Sequence, residues 1–192
     1  MKAVETLPEG YSELYSVDLQ KNKKMSLLVN LLAVIIAVLL LVPMLFWIPI
    51  SSLFVMDKGL GNYALRFITL IVLTIAYMIL HEITHGIAMK ICGTKKVKYG
   101  FTGLYAFAGS NDYYSKKAYI FIALAPIVLW GLLIAIINPF VPLEWFWVVY
   151  SLQIINMSGA AGDLFVTIKF SGFPKDILIR DYGVSMTVFS KE

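Results

Sequence analysis

The sequence carries one cysteine, Cys92, and two histidines, His81 and His85, in 192 residues. A single cysteine rules out an internal disulfide. Two histidines rule out the histidine-rich di-iron hydroxylases and desaturases, which need many more. Charge is also scarce. Charged residues make up 15% of the chain, against roughly 25% in an ordinary soluble domain. The net charge of +4 is modest, and the basic residues cluster at the ends of apolar runs. That placement reads as membrane topology rather than as a nucleic-acid footprint. A cleavable signal peptide is not expected either. A polar stretch of about 25 residues comes first, and the apolar run after it is longer than an h-region. No alanine-type cleavage site follows it, so the first apolar segment is expected to remain. There is no internal repeat and no low-complexity tract.

What the chain has instead is apolar length. Hydrophobic residues reach 59% and the mean hydropathy is +0.79. Four segments reach the roughly 20 residues that a helix needs to cross a bilayer: 27–50, 67–91, 118–137 and 145–168. Pro43 and Pro49 are expected to kink or end the first, and Asn138-Pro139 closes the third. Trp145 and Trp147 suit an interfacial belt at the start of the fourth. The expected fold is therefore an all-α membrane protein with four transmembrane helices. Residues 1–192 are expected to form a single membrane-embedded domain with cytoplasmic tails at 1–25 and 170–192.

Lysine and arginine set the orientation. Lys21, Lys23 and Lys24 precede the first segment. Lys90, Lys95, Lys96, Lys98, Lys116 and Lys117 lie around the second loop, and Lys169, Lys175 and Arg180 follow the fourth segment. The loop after the first segment has only Lys58 and Arg66, and the loop after the third has no basic residue. Both termini and the second loop are expected to be cytoplasmic, in a bacterial cytoplasmic membrane.

Two polar stretches are expected to carry strands. In VKYGFTGLYAFAGS, residues 97–110, Tyr99, Phe101, Tyr105 and Phe107 fall at odd positions, which is strand spacing. A hairpin or re-entrant segment between the second and third helices accounts for it. The tail ILIRDYGVSMTVFSKE reads as short strands around a Tyr-Gly turn.

The second segment contains HEITHG, residues 81–86. His81 and His85 stand four apart and so share a helix face. Two imidazoles so placed can hold one Zn²⁺, with Glu82 beside the metal to take a proton from water. In a soluble surface helix such a motif can arise by chance and be merely solvated. In a membrane helix an ionisable group at mid-span costs about 2.5–3.5 kcal/mol and marks a functional site by default.

Three protein ligands plus water is the usual catalytic arrangement, so a third ligand is needed. Asp57 and Glu144 fall on the outer side of the expected topology, away from HEITHG. Asp112 is on the correct side but in a loop. Asp163 lies six residues before Lys169, about 9 Å along a helix. His85 and His81 lie about 7 and 13 Å before Lys90 by the same rise. Asp163 therefore shares their layer and is the expected third ligand. The patch Ser158–Gly162 before it, and Gly86 after the motif, suit close helix packing. Asn156 lies seven residues before Asp163, on the same face. Its amide could donate to a developing oxyanion or bond a neighbouring helix. Cys92 is about 10 Å of rise beyond His85, too far to join the same ion.

HEITHG followed by a later membrane aspartate resembles the site-2 protease type of intramembrane zinc metalloprotease. The small frame with HEITHG, NMSGAAGD and IRDYG resembles, more narrowly, a family of small bacterial membrane proteins grouped as zincin peptidases, over about residues 65–190. The resemblance implies His81, His85 and Asp163 as zinc ligands and Glu82 as general base. It implies peptide-bond hydrolysis in or at the membrane, on a membrane-inserted peptide whose backbone pairs with residues 97–110. The chain departs from the site-2 pattern in placing Gly162 before Asp163 and in lacking a proline between Asn156 and Asp163. Two other classes use the same polar residues: a zinc transporter, and a membrane adaptor that keeps zinc for structure.

Overall fold

The structure is a computed structural model, and it describes residues 3–18, 20–103 and 106–191. Tyr105, one of the four aromatics with strand spacing, lies outside the described residues. The elements run in the order β1 (Tyr11–Asp18), α1 (Lys23–Trp47), α2 (Gly59–Ile91), β2 (Lys98–Phe101), β3 (Ala106–Gly109), β4 (Tyr113–Ser115), α3 (Lys116–Ile137), α4 (Leu143–Gly159), α5 (Ala161–Ser171), β5 (Leu178–Asp181) and β6 (Ser185–Lys191). Short 3-10 turns occupy Ile50–Phe54 and Asn138–Phe140.

The expectation of an all-α fold is corrected. Among the described residues six strands form two antiparallel sheets. One has the order β1-β6-β5-β4; the other is the hairpin β2-β3. The physical reason is long-range pairing. Residues 11–18 carry little local strand signal, but they find a ladder with β6, in which Tyr11 faces Lys191 and Asp18 faces Ser185.

The number of membrane helices is corrected as well. Among the described residues three helices are long and apolar enough to cross a bilayer, Lys23–Trp47, Gly59–Ile91 and Lys116–Phe140. The segment 145–168 is broken. α4 ends at Gly159 and Ala160 leaves helical geometry at φ −86° and ψ 19°. α5 starts afresh at Ala161. The glycines at 159 and 162 weaken helix propensity on both sides of the break. A Cβ at either would meet nothing within 4 Å, so neither glycine serves the close helix packing expected of that patch. α1 continues through Pro43 and α3 through Pro126.

The chain divides into two compact units. The first comprises Met1–Val29, Leu80–Pro126 and Gly162–Glu192. Its core joins Met89, Tyr114, Ile122, Val166, Phe170, Ile177, Ile179 and Val188, all buried. Strand pairs β4-β5 and β5-β6 put Tyr114 opposite Ile179 and Ile179 opposite Val188, so one sheet face is apolar and packs inward. Gly183 turns the chain between β5 and β6 at φ +100°, and a Cβ there would sit 2.2 Å from the Phe107 ring. Only glycine satisfies both the left-handed backbone and that contact.

The second unit comprises Asn30–Ile79 and Ile127–Ala161. Its buried cluster is Leu53, Trp147, Val148 and Tyr150. Arg66 is 1% exposed within this unit. Its guanidinium donates to the carbonyls of Ser52 and Glu144, each at 3.3 Å, and to that of Val55. Those acceptors include carbonyls at the end of the 3-10 turn that have no helical partner. Lys58 and Glu144 form an ion pair here. Large apolar side chains such as Leu39, Ile71 and Leu132 stay exposed on the helices, as a lipid environment allows.

Candidate metal centre

Two short stretches of chain, both in the first unit, build the site. α2 supplies His81, Glu82 and His85. Their helical spacing puts the two imidazoles edge to face, with ring centroids 4.8 Å apart. α5 supplies Asp163, which stands in its first turn. A carboxylate is favoured there by the unpaired N–H groups and the positive end of the helix dipole. The break at Ala160 thus gives Asp163 a helix N-terminus that an unbroken span would not have.

The three side chains converge. His85 Nε2 lies 3.1 Å from His81 Nε2. His81 Nε2 lies 3.4 Å from Asp163 Oδ2, and His85 Nε2 lies 3.5 Å from Asp163 Oδ1. Among the described residues this is the one group of three such side chains whose ligand atoms gather within bonding range of a common ion. A tetrahedral zinc with bonds of about 2.0–2.2 Å places ligand atoms roughly 3.3–3.6 Å apart. The two histidine–aspartate separations fall in that range and the histidine–histidine separation is slightly shorter, and the donor set of two imidazoles and a carboxylate suits zinc. Both histidines are buried, which protects such a site from competing water.

Neighbouring groups orient the ligands. His85 Nδ1 lies 2.9 Å from the Ile122 carbonyl of α3. A carbonyl only accepts, so Nδ1 carries the proton and Nε2 is turned to the centre. The backbone of Ala108 in β3 faces the Glu82 carboxylate. Gly86 was expected to serve helix packing. It instead faces the hairpin: a Cβ there would lie 1.9 Å from the Tyr99 hydroxyl.

Asn156 belongs to the second unit. Its Oδ1 accepts from the Tyr77 hydroxyl at 2.8 Å, and its Nδ2 donates to the Ile127 carbonyl at 3.2 Å. The rejected carboxylates stand elsewhere: Glu144 pairs with Lys58, and the Asp112 backbone N–H donates to Ser110. Cys92 is buried and is not in the ligand group.

The sequence reading missed three features. The first is the Ile122 carbonyl, a main-chain atom with no side-chain signature. The second is a hydroxyl cluster in which the Tyr114 hydroxyl lies 2.6 Å from both Thr94 Oγ1 and Ser110 Oγ. The third is Asp181. Its carboxylate accepts from the Tyr119 hydroxyl at 3.0 Å and the Gly183 N–H at 2.7 Å. Burial pushes its carboxyl up to about 7. The only available signal was the polar IRDYG stretch in an apolar setting.

These features define a protein with membrane-length helices and a two-histidine, one-carboxylate centre of the kind that holds a catalytic zinc. The chain belongs to the family described as "Putative zincin peptidase", whose model matches residues 74–178. That range contains the HEITHG motif, the hairpin, α3 and Asp163. The chain is also 32% identical over 117 residues to the "Uncharacterized 24.7 kDa protein in gap 5'region" of Pyrococcus woesei. The match covers 58% of this chain and 50% of that protein, so the chain spans about half the length of the relative it matches. No solved structure matches the chain significantly.

Proposed function

We propose that the protein is a zinc metalloprotease that hydrolyses peptide bonds of membrane-inserted protein substrates. The observation that carries this reading is the convergence of His81, His85 and Asp163 at tetrahedral-edge spacing, with Glu82 next to His81 on a helix of membrane-crossing length. When bound, zinc supplies Lewis acidity at the scissile carbonyl and lowers the pKa of water. Glu82 takes the proton from that water and delivers it to the leaving amine. The backbone of Ala108 faces the Glu82 carboxylate, which sets that carboxylate beside β3. An extended substrate segment lies along the β2-β3 hairpin and is held through its backbone, which requires its helix to unwind locally. Asn156, whose amide is engaged with Tyr77 and Ile127, braces the second unit in this reading rather than donating to the oxyanion.

The lipid bilayer is the setting. Strands β1, β4, β5 and β6 share one sheet, which supports placing the segments before α1, between α2 and α3, and after α5 on one side. The lysine and arginine bias makes that side cytoplasmic.

The test is metal content and cleavage together. The wild-type protein should contain about one zinc per chain, by the single three-ligand centre of such sites. His81→Ala and Asp163→Ala should each lose it. Glu82→Gln should keep zinc and lose cleavage of a membrane-inserted peptide. Wild-type cleavage rates in Glu82→Gln would overturn the mechanism.

A further inference from the structure

We propose that Pro126 is a positioning residue for His85, acting by leaving the Ile122 carbonyl unclaimed inside α3. The inference rests on the zinc reading above and names what fixes one of its ligands. In an α-helix the N–H of residue 126 would bond the carbonyl of residue 122. Proline has no N–H, and its ring pushes that carbonyl out of the ladder. α3 nevertheless runs unbroken from Lys116 to Ile137. A freed carbonyl in an apolar helix must find another donor. The donor is His85 Nδ1, at 2.9 Å, and the contact is buried.

This sets the imidazole. With the proton on Nδ1, the lone pair of neutral His85 is on Nε2, the nitrogen that faces His81 and Asp163. The ring is held at one end by main chain rather than by a flexible side chain. A proline four residues after the acceptor thus selects both the tautomer and the ring orientation that a metal needs. The alternative role for Pro126 is simply to bend α3. The two roles predict opposite relations between stability and metal binding. An alanine at 126 restores the helical N–H, improves helix propensity and competes with His85 for the Ile122 carbonyl. If the proline is a positioning device, Pro126→Ala leaves the thermal midpoint of the metal-free protein unchanged or higher and weakens zinc binding. If the proline is only a bend, removing it changes packing and both quantities fall together.

The experiment titrates zinc into wild type, Pro126→Ala, Pro126→Gly and His81→Ala against a chromophoric chelator, alongside thermal unfolding of each metal-free protein. The ¹⁵N shifts of the His85 imidazole are recorded in metal-free wild type. Both proline variants should bind zinc about 10–100-fold more weakly than wild type, while His81→Ala loses binding altogether. The imidazole should show the Nδ1–H tautomer. Wild-type zinc affinity in Pro126→Ala, or an Nε2–H tautomer in wild type, overturns the inference while leaving the zinc reading intact. Absence of zinc binding in wild type overturns the zinc reading and the inference with it. If neither proline variant folds, the wild-type imidazole spectrum decides.

Discussion

The two compact units handle buried polar groups in different ways. In the second, one cation does most of the work: Arg66 gathers the carbonyls of Ser52, Val55 and Glu144 around a single guanidinium. In the first, polar groups meet in several small clusters of side chains. His81 and His85 meet Asp163, Tyr114 meets Thr94 and Ser110, and Asp181 meets Tyr119 and Gly183. A carbonyl cage stabilises a loop end. Convergent ionisable groups create a site. The difference shows where structural polarity ends and chemistry begins in a chain that is mostly apolar.

The largest effect should come from the metal centre. Replacing Asp163 with alanine should remove zinc and cleavage completely but leave the second unit folded, as read by tryptophan fluorescence from the buried Trp147. Loss of that signal would mean that the two regions are less separable than their construction suggests.

Next in size is Arg66→Met. It leaves three carbonyls without their donor, and buried unsatisfied acceptors cost about 1–3 kcal/mol each. Thermal stability should fall sharply, while the zinc affinity of the surviving folded protein should stay within about twofold, since sites without shared partners behave almost independently. A large loss of zinc affinity would break the comparison.

A smaller effect is expected from Tyr114→Phe, which deletes the hydroxyl shared by Thr94 and Ser110. The cost should be about 1–3 kcal/mol, read by chemical denaturation. A double change with Ser110→Ala should add less than the sum of the single changes, because both touch one cluster.

A further effect is read as a pH slope rather than at a single pH. Asp181 has an ordinary value of 3.8, and burial raises it to about 7 in the folded chain. Between those values the folded state holds a proton that the unfolded state has released. Its contribution to stability is therefore greatest below pH 4 and is lost as pH rises through 7. Thermal midpoints of metal-free wild type should decline across this window, and Asp181→Asn should show a flatter curve. Parallel curves would remove Asp181 from the account.

Much of the site could be read directly from the residues. HEITHG fixes its own geometry, because residues four apart on a helix share a face whatever surrounds them. The alternation of Tyr99, Phe101 and Phe107 is strand spacing, and these residues stand in β2 and β3. The tail strands lie around Tyr182 and Gly183. The rest depended on partners far away in sequence. β1 has little to mark it as a strand until β6 pairs with it across some 170 residues, so an all-α reading of 1–25 as a tail failed. The break at Ala160 falls between Gly159 and Gly162, whose weak helix propensity was visible in the sequence but reads equally as a small-residue packing patch within a continuous span.

The sequence by itself determined that two imidazoles share one face of a membrane-length helix with Glu82 beside them, since helical periodicity needs no tertiary information. It also supplied the one proline that α3 would carry inside its length. Matched helix depth already pointed to Asp163 as their partner; only the tertiary structure decided that Asp163 reaches both imidazoles from the start of a new helix, and that the carbonyl freed by Pro126 finds His85. Those are contacts between segments about 40 and 80 residues apart, and no local periodicity encodes them.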